Sequence, residues 1–143
     1  MKRIFVFSML LIAINACKKD DVKPASKSDL LTSGTWKLTA AVTDLDGDGT
    51  FETNEFADFE PCFTDNIWTF NSNGSVAVDE GATKCDPSDP QVQTDSWQMT
   101  NNETNLTFAG DTYLIEQLDA NTLILKLSYG ASSSSKVTLT KNN

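Results

Sequence analysis

Residues 44 to 55 read Asp-Leu-Asp-Gly-Asp-Gly-Thr-Phe-Glu-Thr-Asn-Glu, which puts acids at loop positions 1, 3, 5, 9 and 12 and glycine at position 6. A calcium ion takes about six to eight hard oxygen ligands, and alternate side chains of such a loop turn inward where the sixth-position glycine allows a sharp bend. Asp44, Asp46, Asp48, Glu52 and Glu55 are then the candidate carboxylate ligands, with Thr50 between them. The surrounding charge fits a bound cation: no Lys or Arg occurs from residue 38 to 83, and that stretch holds ten of the 20 acids. Such a cluster repels itself unless a cation or solvent screens it. The alternative is a solvated Asp/Gly turn with no ion.

The spacing resembles the EF-hand calcium loop, which implies Asp44, Asp46 and Asp48 as side-chain ligands, Thr50 through its backbone carbonyl, Glu52 directly or through water, Glu55 with both oxygens, and Phe51 as the apolar eighth residue; the flanks depart from it. A helix should enter and leave, yet Trp36 to Val42 alternates like a strand and Phe56 to Phe63 has no helical period. The expectation is an EF-type loop grafted between two strands, with affinity near the weak end of extracellular sites, about 10⁻⁴ to 10⁻³ M. Its role would be structural.

Other chemistries are poorly served. None of the 143 residues is histidine, which removes Ser/His/Asp and Cys/His relays, His-ligated zinc and imidazole base catalysis. The nucleophile-elbow, phosphate-loop and dinucleotide motifs are also missing, and nothing marks two carboxylates as facing a cleft. We therefore expect no enzyme. A net charge of −9, with Arg3 the one arginine, disfavours nucleic acid.

The N-terminus reads as an address. Met1-Lys2-Arg3 is a positive start, and Ile4 to Ile14 is an apolar run interrupted by Ser8, too short to span a bilayer. Ile14-Asn15-Ala16-Cys17 then resembles a bacterial lipobox, which implies cleavage after residue 16 and acylation of Cys17 with palmitate-type chains. Cys17-Lys18-Lys19-Asp20-Asp21 resembles the surface-export signal of some Gram-negative lipoproteins. The resemblance places the protein on the outer membrane facing the cell surface, with the periplasmic face as the alternative. Residues 17–29 then form the acylated cysteine and a flexible stalk, and residues 30–143 the domain. Losing Lys2 and Arg3 takes the mature balance to 9 bases against 20 acids, or −11. Cys62 and Cys85 remain as an even pair, for which an oxidising compartment favours a disulfide. Metal-binding thiols would want Cys-x-x-Cys spacing and histidines.

The elements that must hold these residues are strands. Alternating runs fall at Trp36–Val42, Asn66–Phe70, Ser75–Asp79, Thr94–Thr100, Asn105–Ala109, Thr112–Leu118, Thr122–Tyr129 and Lys136–Lys141, separated by turn residues such as Asn71-Ser72-Asn73-Gly74. Eight strands joined by sequential hairpins favour an all-β, up-and-down antiparallel barrel.

Gly34-Thr35-Trp36 is a Gly-x-Trp, and the surrounding Leu31 to Leu38 resembles the opening of lipocalins. With the lipobox, the stalk, the acidic loop, Pro61-Cys62, Lys84-Cys85 and a Thr-rich last strand, residues 30 to 141 resemble the lipocalin-like lipoproteins of Gram-negative bacteria. In lipocalins an arginine of the last strand packs over that tryptophan. The mature chain has none, so the resemblance leaves this contact to a lysine such as Lys136 or Lys141. It also implies a small apolar ligand inside the barrel, where inward candidates are Trp36, Leu38, Trp68, Phe70, Trp97, Phe108, Tyr113, Leu125 and Leu127; Trp36, Trp68, Phe70, Trp97 and Tyr113 are the expected contacts. The alternative is a barrel filled by its own side chains, with loops that contact a glycan or an envelope partner.

Overall fold

The computed structural model describes residues 24–130 and 132–142. The expected signal peptide, the expected acylation site Cys17 and residues 18–23 of the expected stalk lie outside the described residues. A short helix, α1 (Lys27–Thr32), leads into β1 (Thr35–Asp44); the chain continues through β2 (Thr53–Asn54), a 3-10 turn at Glu55–Asp58, and α2 (Pro61–Thr64). The other strands are β3 (Ile67–Phe70), β4 (Ser75–Asp79), β5 (Val92–Thr100), β6 (Asn105–Phe108), β7 (Asp111–Leu118), β8 (Thr122–Ser128) and β9 (Ser134–Asn142).

Each strand from β3 onward pairs antiparallel with the next, and β9 returns along β1 from Thr35↔Asn142 to Asp44↔Ser134. The ring therefore closes through eight strands as expected. β2 is an addition: its two residues pair with Val42 and Thr43 on the same edge of β1 that binds β3 lower down, at Thr35 to Lys37. Between these two pairings, β1 is flanked by the 3-10 turn and α2 rather than by a strand. A register shift between Leu38 and Ala40 bends β1 there.

Trp36, Phe70, Val76, Leu106, Ile115, Leu123, Leu125 and Leu139 form the core, and Leu31 of α1 joins them from one end. Side-chain alternation explains the set, because directly paired residues such as Phe70↔Val76, Ile115↔Leu125 and Leu123↔Leu139 share the inner face. Phe70 meets Trp97 and Phe108 edge-on, at 5.9 and 5.6 Å between ring centroids, and Phe108 stacks on Tyr113 at 4.9 Å. These aromatic contacts join β3 to β5, β6 and β7.

Two expectations need correction. The stalk ends earlier than residue 29, because α1 begins at Lys27 under a capping box in which Ser26 and Asp29 exchange hydrogen bonds. Its six residues are too few to show a period, although Ser-x-x-Asp before Leu30-Leu31 is a recognisable start signal. The stretch Phe56 to Phe63 is likewise not without helix, since the 3-10 turn and α2 occupy most of it.

Candidate functional site

At one end of the barrel α1 acts as a floor. Leu31 is fully buried, its carbonyl accepts the Trp36 indole N–H at 2.8 Å, and Lys141 places Nζ 4.0 Å from the Trp36 ring centroid. The same ammonium donates to the Leu30 carbonyl and to Ser33 Oγ. The expected lysine over the tryptophan is thus Lys141, and its partial burial lowers its pKa. Lys136 has other partners: it pairs with Glu116 at 2.8 Å and lies 4.1 Å from the Phe51 ring centroid on the outer wall.

Glu103 ties α1 to the β5–β6 turn. Its carboxylate accepts from the Ser28 hydroxyl at 2.8 Å and from the Lys27 and Ser28 amides, which holds its pKa below the ordinary value, the Ser28 hydroxyl being the largest cause. Asn101, Asn102 and Glu103 all have positive φ (53°, 54° and 60°). Asparagine tolerates that conformation, but glutamate does so at a cost of about 1–2 kcal/mol, which docking against α1 offsets.

Further along β1, beside its strandless part, the wall opens. Leu38, Phe59, Phe63, Asn66 and Trp68 line a recess of about 270 Å³. Leu38 and Trp68 reach it from the inner face, since Trp68 pairs with the buried Trp36 and Leu38 lies two residues on. With its amide nitrogen assigned to the side that faces two acceptors, Asn66 donates to the Cys62 and Glu80 carbonyls at 3.0 and 3.3 Å. The recess wall is consequently almost all hydrocarbon. Phe59 and Phe63 are 38% and 53% exposed, an unusual state for two phenylalanines side by side, and their centroids lie 6.5 Å apart. The Cys62–Cys85 disulfide, expected from the sequence, pins the segment between them to the loop after β4. Asp65 reinforces that attachment. It accepts from the Thr83 hydroxyl and from the Ala82 and Thr83 amides, which lowers its pKa, again with the hydroxyl first.

A second recess of about 360 Å³ adjoins the first across Phe59. Ala41, Thr43, Glu55, Tyr129, Ser135 and Val137 are among its lining residues.

Of the five expected ligand contacts, Trp68 alone lines the apolar recess. Trp36 and Phe70 are buried core at 0% and 1% exposure, Tyr113 stacks on Phe108, and Trp97 gives its indole N–H to the Asn71 carbonyl. Their inward direction was legible, but not which level of the barrel each would occupy. Phe59 and Phe63 were missed because they follow no strand period; the signal available was three phenylalanines, Phe56, Phe59 and Phe63, around Cys62.

The acidic loop gathers part of its expected set. Carboxylate oxygens of Asp44, Asp46, Asp48 and Glu52 lie within 4.8 Å of one another. Asp44 is 2% exposed and accepts from the Gly47 and Gly49 amides at 2.7 and 3.1 Å; Gly49, at φ 91°, makes the bend that a side chain would strain. Asp48 accepts from the Thr50 amide, which lowers its pKa. Phe51 anchors the loop to the outer wall between Lys136 and Lys126. Glu55 is not in the group and belongs instead to the second recess. The physical reason is the pairing of Thr53 and Asn54 with β1, which carries the chain away where an EF-hand would begin its exit helix.

A closed eight-stranded antiparallel barrel with a tryptophan at the head of β1, a helix under the floor and a recessed mouth is a lipocalin-type domain. Residues 32–143 match the model of the lipocalin-like domain family, and the chain belongs to that family. Among solved structures, a DUF4847-family protein from Bacteroides vulgatus superposes with a TM-score of 0.53 at 13% identity, covering 80% of this chain and 96% of that one, a likeness of fold. No curated protein matches the chain.

Proposed function

We propose that this protein is an envelope lipoprotein, anchored to the outer membrane through acyl chains on Cys17 and displayed at the cell surface, whose barrel takes a small apolar ligand at its mouth. The observation that carries the ligand reading is the hydrocarbon recess flanked by exposed Phe59 and Phe63. Its volume lies just under the ~300–1,000 Å³ common for small-molecule sites, which suits a short chain or a single ring system. The site is a binding site and not a catalytic one. The lipobox and Cys-x-Lys-Asp-Asp support the address. Native mass spectrometry of the domain purified from its own cells tests the ligand: a co-purifying apolar molecule that Phe63→Ala releases supports the reading, and a bare domain with no affinity for apolar probes sinks it. Cys17→Ser should abolish acyl labelling, and protease added to intact cells should remove the domain. Protection from that protease would place it on the periplasmic face.

A second reading rests on the packed core: if the barrel holds nothing, exposed Leu45, Phe59 and Phe63 would contact a glycan or an envelope protein. Calcium at Asp44, Asp46, Asp48 and Glu52 is a separable proposal that rests on their convergence. Adding calcium to chelator-treated protein should raise its melting temperature, and no rise would leave the loop a turn.

A further inference from the structure

We infer that the ligand of the mouth is a cationic amphiphile, with its hydrocarbon part in the apolar recess and an ammonium or similar hydrogen-bond-donating head beside Glu55. This deepens the apolar-ligand reading and rests on it. The first recess offers a ligand almost no polar partner, since Asn66 has spent its amide on the Cys62 and Glu80 carbonyls. Any polar end must therefore leave it, and the adjoining recess across Phe59 is the space next to it. A polar group left in the hydrocarbon recess would lose its water without replacement.

The second recess combines apolar walls with a few polar groups. Tyr129 and Ser135 hydroxyls bond each other at 3.2 Å. Lys136, whose residue also borders the recess, has its ammonium committed to Glu116 and to the Phe51 ring. Glu55 is different. Among the described residues its carboxylate has no hydrogen bond or ion pair, and the chain from residue 38 to 83 around it carries ten acids and no base. A carboxylate in the recess next to the apolar one, where the one lysine of the lining, Lys136, is paired with Glu116, complements an organic cation and repels an anionic head. Fatty acids, with the same hydrocarbon part and the opposite charge, should be disfavoured.

The test uses three probes with one chain and three heads: decylamine, decanol and decanoate, titrated below their micelle concentrations into the soluble domain while Trp68 emission and heat are followed. Decylamine should bind about three- to fivefold more tightly than decanol, the scale of a partly exposed charge contact, with decanoate weakest. Glu55→Gln should erase the amine's advantage while leaving decanol unchanged. Asp89→Asn, which removes one negative charge from a loop outside both recesses, should leave the preference intact and so separates a local contact from the general charge of the domain. Equal binding of all three, tighter binding of decanoate, or a preference that survives Glu55→Gln overturns the head-group inference while the apolar site stands. No binding by any probe overturns both.

Discussion

The floor and the mouth of this barrel are made from the same residue types but are held together differently. At the floor, Trp36, Leu31 and Lys141 are locked by an indole hydrogen bond, a cation over a ring and the Glu103 clamp on α1. At the mouth, Phe59, Phe63 and Trp68 stand around a gap in the strand pairing of β1 and are held in place mainly by a disulfide and by Asp65. Aromatic residues fill space where strands close around them. Where the ring of hydrogen bonds is interrupted they leave space, and that space is where a ligand can go. The difference is one of backbone pairing rather than of composition.

The sharpest way to break the contrast is at the floor. Trp36→Ala removes a fully buried indole and should cost about 3–5 kcal/mol of unfolding free energy in a urea titration; a loss below about 1 kcal/mol would mean the floor is not the stable end. Next, replacing Cys62 and Cys85 by serine should cost about 3 kcal/mol for a bridge spanning 23 residues. Amide exchange should then quicken around Phe59, Phe63 and Thr83 before it changes at Trp36. Glu103→Ala should cost less, about 0.5–1 kcal/mol after solvent screening, and should free α1 to exchange. Because its pKa in the folded protein is lowered from the ordinary 4.5, the contribution of Glu103 is present above that value and is lost as pH falls through the depressed one. The loss of α1 signals on acid titration should therefore lie below pH 4.5, and Glu103→Gln should remove that step. The smallest effect on stability belongs to Phe63→Ala, within about 0.5 kcal/mol for a side chain half in solvent, although it should weaken apolar ligands most.

This contrast also explains which features could be read from the sequence. The eight strands were legible because alternation is a local property: Ser75–Asp79 and Asn105–Phe108 show it within a few residues. The disulfide followed from parity once Cys17 was set apart. The lysine over Trp36 was legible as a need but not as a residue, since Lys136 and Lys141 lie on one strand and only the third dimension sends one outside and one under the floor. The mouth was not legible at all. It depends on β3 pairing with only three residues of β1 and on Thr53 and Asn54 claiming two more, a choice between long-range partners that no local pattern encodes. The same choice removed Glu55 from the acidic loop and turned it to the recess.

The three tryptophans offer the most direct test of the account, because each indole N–H reports a different contact: Trp36 the Leu31 carbonyl of α1, Trp97 the Asn71 carbonyl on the β5 side, and Trp68, the partner of Trp36 across β1 and β3, the apolar recess. Two-dimensional nitrogen–proton spectra should be recorded while decylamine is added to the isotopically labelled domain. The account predicts that the Trp68 indole and the amides of Leu38, Phe59 and Phe63 shift together and saturate, while the Trp36 indole, bonded to the Leu31 carbonyl, stays where it is. Saturating shifts at Trp36 and Leu123 with Trp68 unmoved would put the ligand inside the barrel and contradict it.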